Sequence, residues 1–384
     1  MSLYLDYNAT TPLDPQVRQA MEPYLGGVFG NASSGHGFGR AARAAVDAAR
    51  EQVAALVKAH PSQVVFCSGG TEANNFAVKG VAARHEEAGV LAVSAVEHAS
   101  VRAPAASLAK RGWRVLDMTV DGQGRIDAEA WKQVLAQRPQ LVAMMMANNE
   151  TGAVYDVAAM AQAARAAGAI VLTDAVQAAG KIAVDFTASG AHLMSLSSHK
   201  IYGPKGAGAL IIDKAVDMEP LLSGGGQEKG RRAGTENVAA IVGFGRAAEL
   251  AGAELAQRHE QSLALRDHLE GRLLAEIARL EIFAAKAGRL PNTTFLAVPG
   301  VDGATLLMSL DQAGMAVSSG SACGTGEVEP SHVLQAMGVE RELARGAIRV
   351  SLGKETRRED VDRFVDGLKE QLRILQRFGS LACA

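Results

Sequence analysis

The chain has 384 residues, 48% apolar and 21% charged, with a formal net charge of −2 and 41 glycines scattered along it. This length and composition predict a globular protein with a sizeable core, built as two domains or as one large domain with a smaller companion. The near-neutral charge, with aromatics at only 4% and no basic block, excludes a surface that tracks a nucleic-acid backbone. The longest apolar interior run, 141–147, is about a third of a membrane span. Asp6 interrupts the N-terminus where a signal peptide needs apolar length, so a cytoplasmic protein is expected. Cys67, Cys323 and Cys383 form no CxxC pair, which argues against a disulfide framework or a zinc site.

Short β-rich runs at 63–68, 90–96, 114–120, 141–147, 170–174, 193–197 and 208–212 alternate with helical patterns. That rhythm predicts an α/β fold around a mostly parallel sheet. Alanine-rich stretches such as 40–57 and 157–167 suit helices laid over the sheet.

The first run leads into Gly69, Gly70 and Thr71 before a helix, where small residues let backbone N–H groups reach a phosphate; a plain N-cap is the competing reading. Cys67, within VVFCS, reads as inert core. His98 closes the next run, placed to stack on an aromatic cofactor and move protons, or simply to serve structure. Asn149, after the 141–147 run, reads as a contact residue or a turn residue.

Asp174 ends the run AIVLTD, where a carboxylate could keep a pyridine nitrogen protonated. The run that follows ends in Ser197, Ser198, His199 and Lys200, and a lysine at a strand's carboxyl end could form a Schiff base with an aldehyde cofactor. Neither residue is persuasive alone; the pair is.

Beyond the sheet pattern, GGGQEKGRRAGTEN supplies Arg231, Arg232 and Thr235 as a second anion cradle or as solvated loop charges. The GFGRAA at 243–248 fits a weak dinucleotide pattern and fails on context, because its flanks read as helix. Leu265, Leu269, Leu273 and Ile277 repeat at i+4 along an amphipathic helix that marks a domain boundary. We expect 15–255 to form the large domain, with 1–14 and 256–384 forming a smaller α+β domain.

Cys323 lies in a serine- and glycine-rich run suited to a nucleophilic thiol on an exposed loop, whereas Cys383 is near the end and reads as non-essential. Arg349, within AIRVSL, needs an anion, either a substrate carboxylate or an internal partner. Thr356 with Glu359 reads as a capping box before the last helix.

Taken in order, YLDYNATTP, SGGTEANN, VEH, NNETG, TDAVQ, SSHKIYGPKG, GRRAGTEN, SSGSACGTGEVEPSHVL and IRVSLG resemble the cysteine desulfurases of the NifS/IscS type, within the fold-type I aminotransferase-like superfamily. The resemblance implies that pyridoxal 5′-phosphate is held on Lys200 as an internal aldimine, with Asp174 on its ring nitrogen and His98 stacked on the ring. It implies phosphate contacts from Gly70, Thr71, Ser197 and His199, and from Thr235 of the other subunit of a homodimer. Gln177 and Asn149 would contact the ring oxygen or substrate, and Arg349 the substrate carboxylate.

L-Cysteine would become alanine, with Cys323 taking the sulfur as a persulfide for an acceptor such as an iron–sulfur scaffold protein. Ser198 stands where the family often has glycine, a change expected to be tolerated. The short LACA ending puts a tail-dependent scaffold contact in doubt. A selenocysteine lyase or other β-lyase on the same scaffold, and a non-catalytic sulfur-relay protein, are the alternatives.

Overall fold

A computed structural model describes residues 2–319 and 329–382, with side chains as far as residue 375. The chain enters through β1 (Leu3–Tyr4). It then builds the strands β2 (Val64–Cys67), β3 (Val90–Ser94), β4 (Arg114–Met118), β5 (Leu141–Ala143), β6 (Ile170–Asp174), β7 (Leu193–Ser197) and β8 (Gly208–Ile212). These seven form one sheet in the order β2-β8-β7-β6-β5-β3-β4, with β8 antiparallel to both its neighbours and every other pairing parallel. Strands β2, β5, β7 and β8 are buried at every position, which is why they read as continuous apolar runs rather than as alternating ones. The 141–147 run is longer than its strand: Met144 and Met146 leave the regular ladder yet still donate to Leu172 and Asp174, so the chain follows β6 to its end.

Helix Gly37–Leu56 buries Ala42, Val46, Ala49 and Val53, one stripe at helical spacing. It packs on helix Val238–Ala253, whose interior holds the GFGRAA stretch. The glycines there serve packing: a Cβ on Gly245 would stand 2.6 Å from Ala49 Cα, and one on Gly243 2.6 Å from Met21 Sδ. Tyr202, two residues after Lys200, carries Arg258 and Lys354 over its ring. Among the described residues no helix is long and apolar enough to cross a membrane.

The C-terminal third forms a second sheet from β9 (Glu281–Ile282), β10 (Thr293–Ala297) and β12 (Ile348–Ser351), antiparallel in the order β12-β10-β9, while β11 (Met315–Ala316) pairs with β1. Leu3 and Leu5 share a core with Leu269, Leu273, Phe364 and Leu368, so both chain ends pack together. Two details differ from the sequence reading. The amphipathic helix ends at Glu276, leaving Ile277 in extended backbone. The last helix begins at Arg358, and its reach-back contact is Asp360 accepting from Arg357 N at 2.9 Å, one residue later than the expected box. Thr356 is drawn off because its hydroxyl accepts from Gly353 N at 2.9 Å, closing the turn after β12.

Gly245→Ala is expected to lower stability by about 1–3 kcal/mol, because the methyl meets the Ala49 backbone, which cannot give way as the Gln52 side chain beside it can. Gly271→Ala, on an exposed helix position with open space around it, is expected to raise it by up to about 1 kcal/mol. Urea midpoints measured at unchanged slope check both.

Candidate active site

The strands that run in one direction deliver their carboxyl ends to one edge of the sheet, the usual ligand edge of open α/β folds. There a cavity of about 430 Å³ is lined by Gly70, Thr71, His98, Asn149, Asp174, Gln177, Ser197, His199, Lys200 and Arg349. All of these were named from sequence.

Lys200 closes the single turn Ser198–Lys200 after β7. Its Nζ donates to the carbonyls of Asn8 (2.5 Å) and Ala9 (2.7 Å). Burial, followed by the charge of Arg349, lowers its pKa to about 8, against weaker opposing pulls from Asp6 and Asp174. The amine is therefore much easier to deprotonate than an ordinary lysine, as a Schiff-base lysine requires.

On the adjacent strand, buried Asp174 accepts from Asn74 Nδ2 at 2.7 Å and from Val176 N at 2.9 Å. Asn74 also donates to Ser100 Oγ (2.9 Å), and Ser100 Oγ lies 2.8 Å from His98 Nδ1. Because Asn74 supplies a hydrogen to Ser100, the hydroxyl turns its own toward His98. Ser100 N also donates to that nitrogen, so the network assigns Nδ1 as acceptor and leaves the proton of the neutral ring on Nε2. Burial lowers the His98 pKa, with Asp174 opposing and the Lys200 charge adding to the drop. Four side chains thus form one line from carboxylate to imidazole.

Gly70 and Thr71 open the 13-residue helix Gly70–Ala82, whose N-cap Gly69 provides no side-chain cap. Gly69 has φ +155°, which disfavours a side chain, and a Cβ on Gly70 would stand 2.7 Å from Val176 Cγ2. The first-turn N–H groups are left available to an anion. Glu72 in that turn is held by Arg232 at 2.8 Å and by Ser68 N at 2.9 Å. His199 faces Thr10 Oγ1 at 3.1 Å; burial and the charges of Lys200 and Lys205 lower its pKa to about 4, so it is neutral.

Arg349 pairs with Asp6 at 2.6 Å and donates to Asn149 O at 2.9 Å, while its Nε has no partner among the described residues. The internal partner is thus present, and the guanidinium still lines the cavity. Asn149 lies in a turn, and Gln177 is buried. Thr235 falls outside this cavity, in a separate depression of about 260 Å³ with Arg232 and Glu236. Cys67 is buried, and burial pushes its thiol up to about 12.

Cys323 and Cys383 lie outside the described residues. The near flank of the Cys323 segment reaches the cavity wall, and the far flank is tied to residues next in sequence to the lining residues Asn149 and His98. Ser318 lines the cavity and exchanges backbone hydrogen bonds with Arg349. Ser331 caps helix His332–Ala336 and donates to Glu150, and His332 Nε2 lies 2.9 Å from Glu97 O. Burial raises Glu150 to about 7 and Glu97 well above the carboxylate range, the latter helped by Asp174.

Sequence reasoning passed over Asn8, Asn74, Glu97, Glu150 and Lys181. Asn74 had a readable signal, an amide on the apolar face among Ala73, Phe76 and Ala77. Asn8 had none, since its partners lie far along the chain.

The aminotransferase class-V model matches residues 3–364. The chain belongs to that family. The family depends on pyridoxal 5′-phosphate. A cysteine desulfurase of Cereibacter sphaeroides is 45% identical over 383 residues, covering 98% of each chain. A solved structure described as a NifS-like protein superposes with a TM-score of 0.91 at 35% identity, covering 97% of this chain and all of that one. The solved SspA in complex with cysteine gives 0.80 at 32%, covering 91% of this chain and 99% of the other.

The residues present fit the cofactor: an amine displaced toward neutrality, a carboxylate on the neighbouring strand, an uncapped helix N-terminus and a cavity of suitable size meet at one edge. In cofactor-free protein the Lys200 amine is expected to titrate near 8 rather than 10.5. Its folded pKa lies below its unfolded one, so its burden on stability is full below about 8 and is relieved as pH rises from there toward 10.5. NMR titration of reductively ¹³C-methylated lysines, with Lys200→Arg assigning the signal, measures it; Arg349→Met should raise it.

Proposed function

We infer that the protein is a pyridoxal-phosphate-dependent cysteine desulfurase that converts L-cysteine to L-alanine and hands the sulfur to a thiol. The observation that carries this reading is the pairing of Lys200, its pKa lowered to about 8, with Asp174 on the adjacent strand, in a chain 45% identical along its length to a cysteine desulfurase. When bound, pyridoxal phosphate supplies an electron sink for the bond to the α-hydrogen of the substrate.

Lys200 Nζ would anchor that group and, once released by the incoming amine, take the α-proton. Asp174, held by Asn74 and Val176 N, would keep the ring nitrogen protonated. Gly70, Thr71, Ser197 and His199 would bind the phosphate, and His98 would lie against the ring with its Nε2 proton available. Arg349 would bind the substrate carboxylate, and Asn149 and Gln177 would contact the ring oxygen or the substrate.

The thiolate of Cys323 attacks the substrate sulfur: an S–S bond forms, the C–S bond breaks, and the carbon skeleton takes a proton to become alanine. The placement of Ser318 in the cavity wall and of Ser331 on Glu150, next to the lining residue Asn149, supports this role. We further propose a cytoplasmic homodimer in which the partner protomer contributes Thr235, and an acceptor such as an iron–sulfur scaffold protein. The shared core of Leu3 and Leu5 with the C-terminal helices supports a domain division into 15–255 and the remainder.

An absorbance spectrum with and without L-cysteine, followed by alanine and sulfide assays, tests the reading. Lys200→Ala is expected to lose the cofactor band, and borohydride is expected to trap the cofactor on Lys200 rather than Lys205. Cys323→Ser is expected to lower alanine formation by about two orders of magnitude or more. An unchanged rate in that variant would remove the thiol from the mechanism, and selenocysteine turnover that survives it would favour the lyase alternative.

A further inference from the structure

Lys181 is a partly buried cation that the chemistry above leaves unused. Its Nζ donates to Gln177 Oε1 at 2.5 Å and to Asn8 Oδ1 at 2.7 Å. Both partners are neutral amide oxygens, and no carboxylate among the described residues pairs with it. Burial and the nearby charges of Lys200 and Arg349 lower its pKa well below the ordinary lysine value. As a stability device this placement is poor, because a desolvated amine beside two other cations costs free energy that an apolar side chain of similar length would not.

What the arrangement supplies is direction. A glutamine amide can present either end to its surroundings, and the two ends have opposite hydrogen-bonding sense. An ammonium donates only, and a neutral amine still has two hydrogens for two oxygens, so in either state Lys181 claims Gln177 Oε1. The Asn8 carbonyl, an obligate acceptor, takes Gln177 Nε2 at 3.0 Å. Gln177 lines the large cavity, whereas Lys181 faces a separate small space beside Tyr202 and Asn292. Lys181 therefore reaches the cavity only through other groups.

We propose that Lys181 is a positioning residue that locks the Gln177 amide with its nitrogen toward the cavity, so that the acidic ring oxygen of the cofactor meets an N–H donor and never a carbonyl. This rests on the cofactor reading above. A donor on that oxygen favours its ionised form, which lowers the pH at which the Lys200-bound cofactor loses its proton.

The test is a double-mutant cycle on cofactor-loaded protein, following the pH-dependent absorbance transition of the bound cofactor in the unaltered chain, Lys181→Met, Gln177→Leu and the double variant. Lys181→Met is expected to raise the transition by about 0.7 unit, the equivalent of one ordinary hydrogen bond. The double variant is expected to match Gln177→Leu, and Lys181→Arg to restore the original value. If Lys181→Met fails to fold by circular dichroism, Lys181→Leu, which also lacks a donor, takes its place and is expected to shift the transition in the same direction. Additive shifts would overturn the proposal, since they mark Lys181 as a bare charge, and so would no shift at all. A missing cofactor band in the unaltered protein would overturn the cofactor reading itself, and this proposal with it.

Discussion

The site depends on one buried asparagine. Asn8 N donates to Ser351 Oγ, and Nδ2 donates to Thr293 Oγ1 and Asn149 O. Its Oδ1 accepts from Lys181 and Asn292, and its carbonyl accepts from Gln177 and Lys200. Every polar group of the residue is used, and its partners belong to the turn after β5, the segments after β6 and β7, the start of β10 with the residue before it, and β12. The N-terminal segment thus acts as a bolt between the small sheet and the carboxyl edge of the large one. Leaving one such buried group unpaired costs about 1–3 kcal/mol, so the two sheets cannot shift independently at this point.

Around that bolt the charges are unbalanced. Arg349 weakens the hold of both Lys200 and Lys181 on their protons, Lys200 adds to the effect at Lys181, and at Lys200 Asp6 and Asp174 answer it only in part. The nearby histidines His98 and His199 are held neutral by burial and by the Lys200 charge, joined at His199 by Lys205. A pocket with surplus positive charge and an uncapped helix N-terminus suits a ligand with a phosphate and a carboxylate. Beyond it, Glu97 and Glu150 are pushed toward their neutral forms and anchor the far flank of the Cys323 segment through His332 and Ser331, the former through the Glu97 carbonyl. Anchoring and chemistry therefore share one small volume.

Six strands of the large sheet were legible because each is a short, mostly apolar run closed by a polar or glycine-rich stretch, with little alternation because both faces are largely buried; the edge strand β4, with Arg114 and Asp117 exposed, was legible by its place in the rhythm. Asp174 and Lys200 could be read because an acid and a lysine stand at the ends of consecutive strands, where their spacing is local. The register of the last helix cap was misjudged because Thr356 had a competing partner, Gly353, that no local rule weighs against it.

The sequence by itself determined which residues end each strand, and so which side chains reach the ligand edge: that information is periodic and local. Only the tertiary structure decided how those side chains are held. Asn8 meets Lys200 across 192 positions and Asn74 meets Asp174 across 100. The antiparallel insertion of β8 between β2 and β7 brings the Gly69–Gly70 turn against Ser197. The protonation state of Lys200, like that of Lys181, follows from burial and from neighbours supplied by distant segments. Contacts between remote elements leave no periodic trace in a chain, which is why the acting residues could be read from it and their positioning could not.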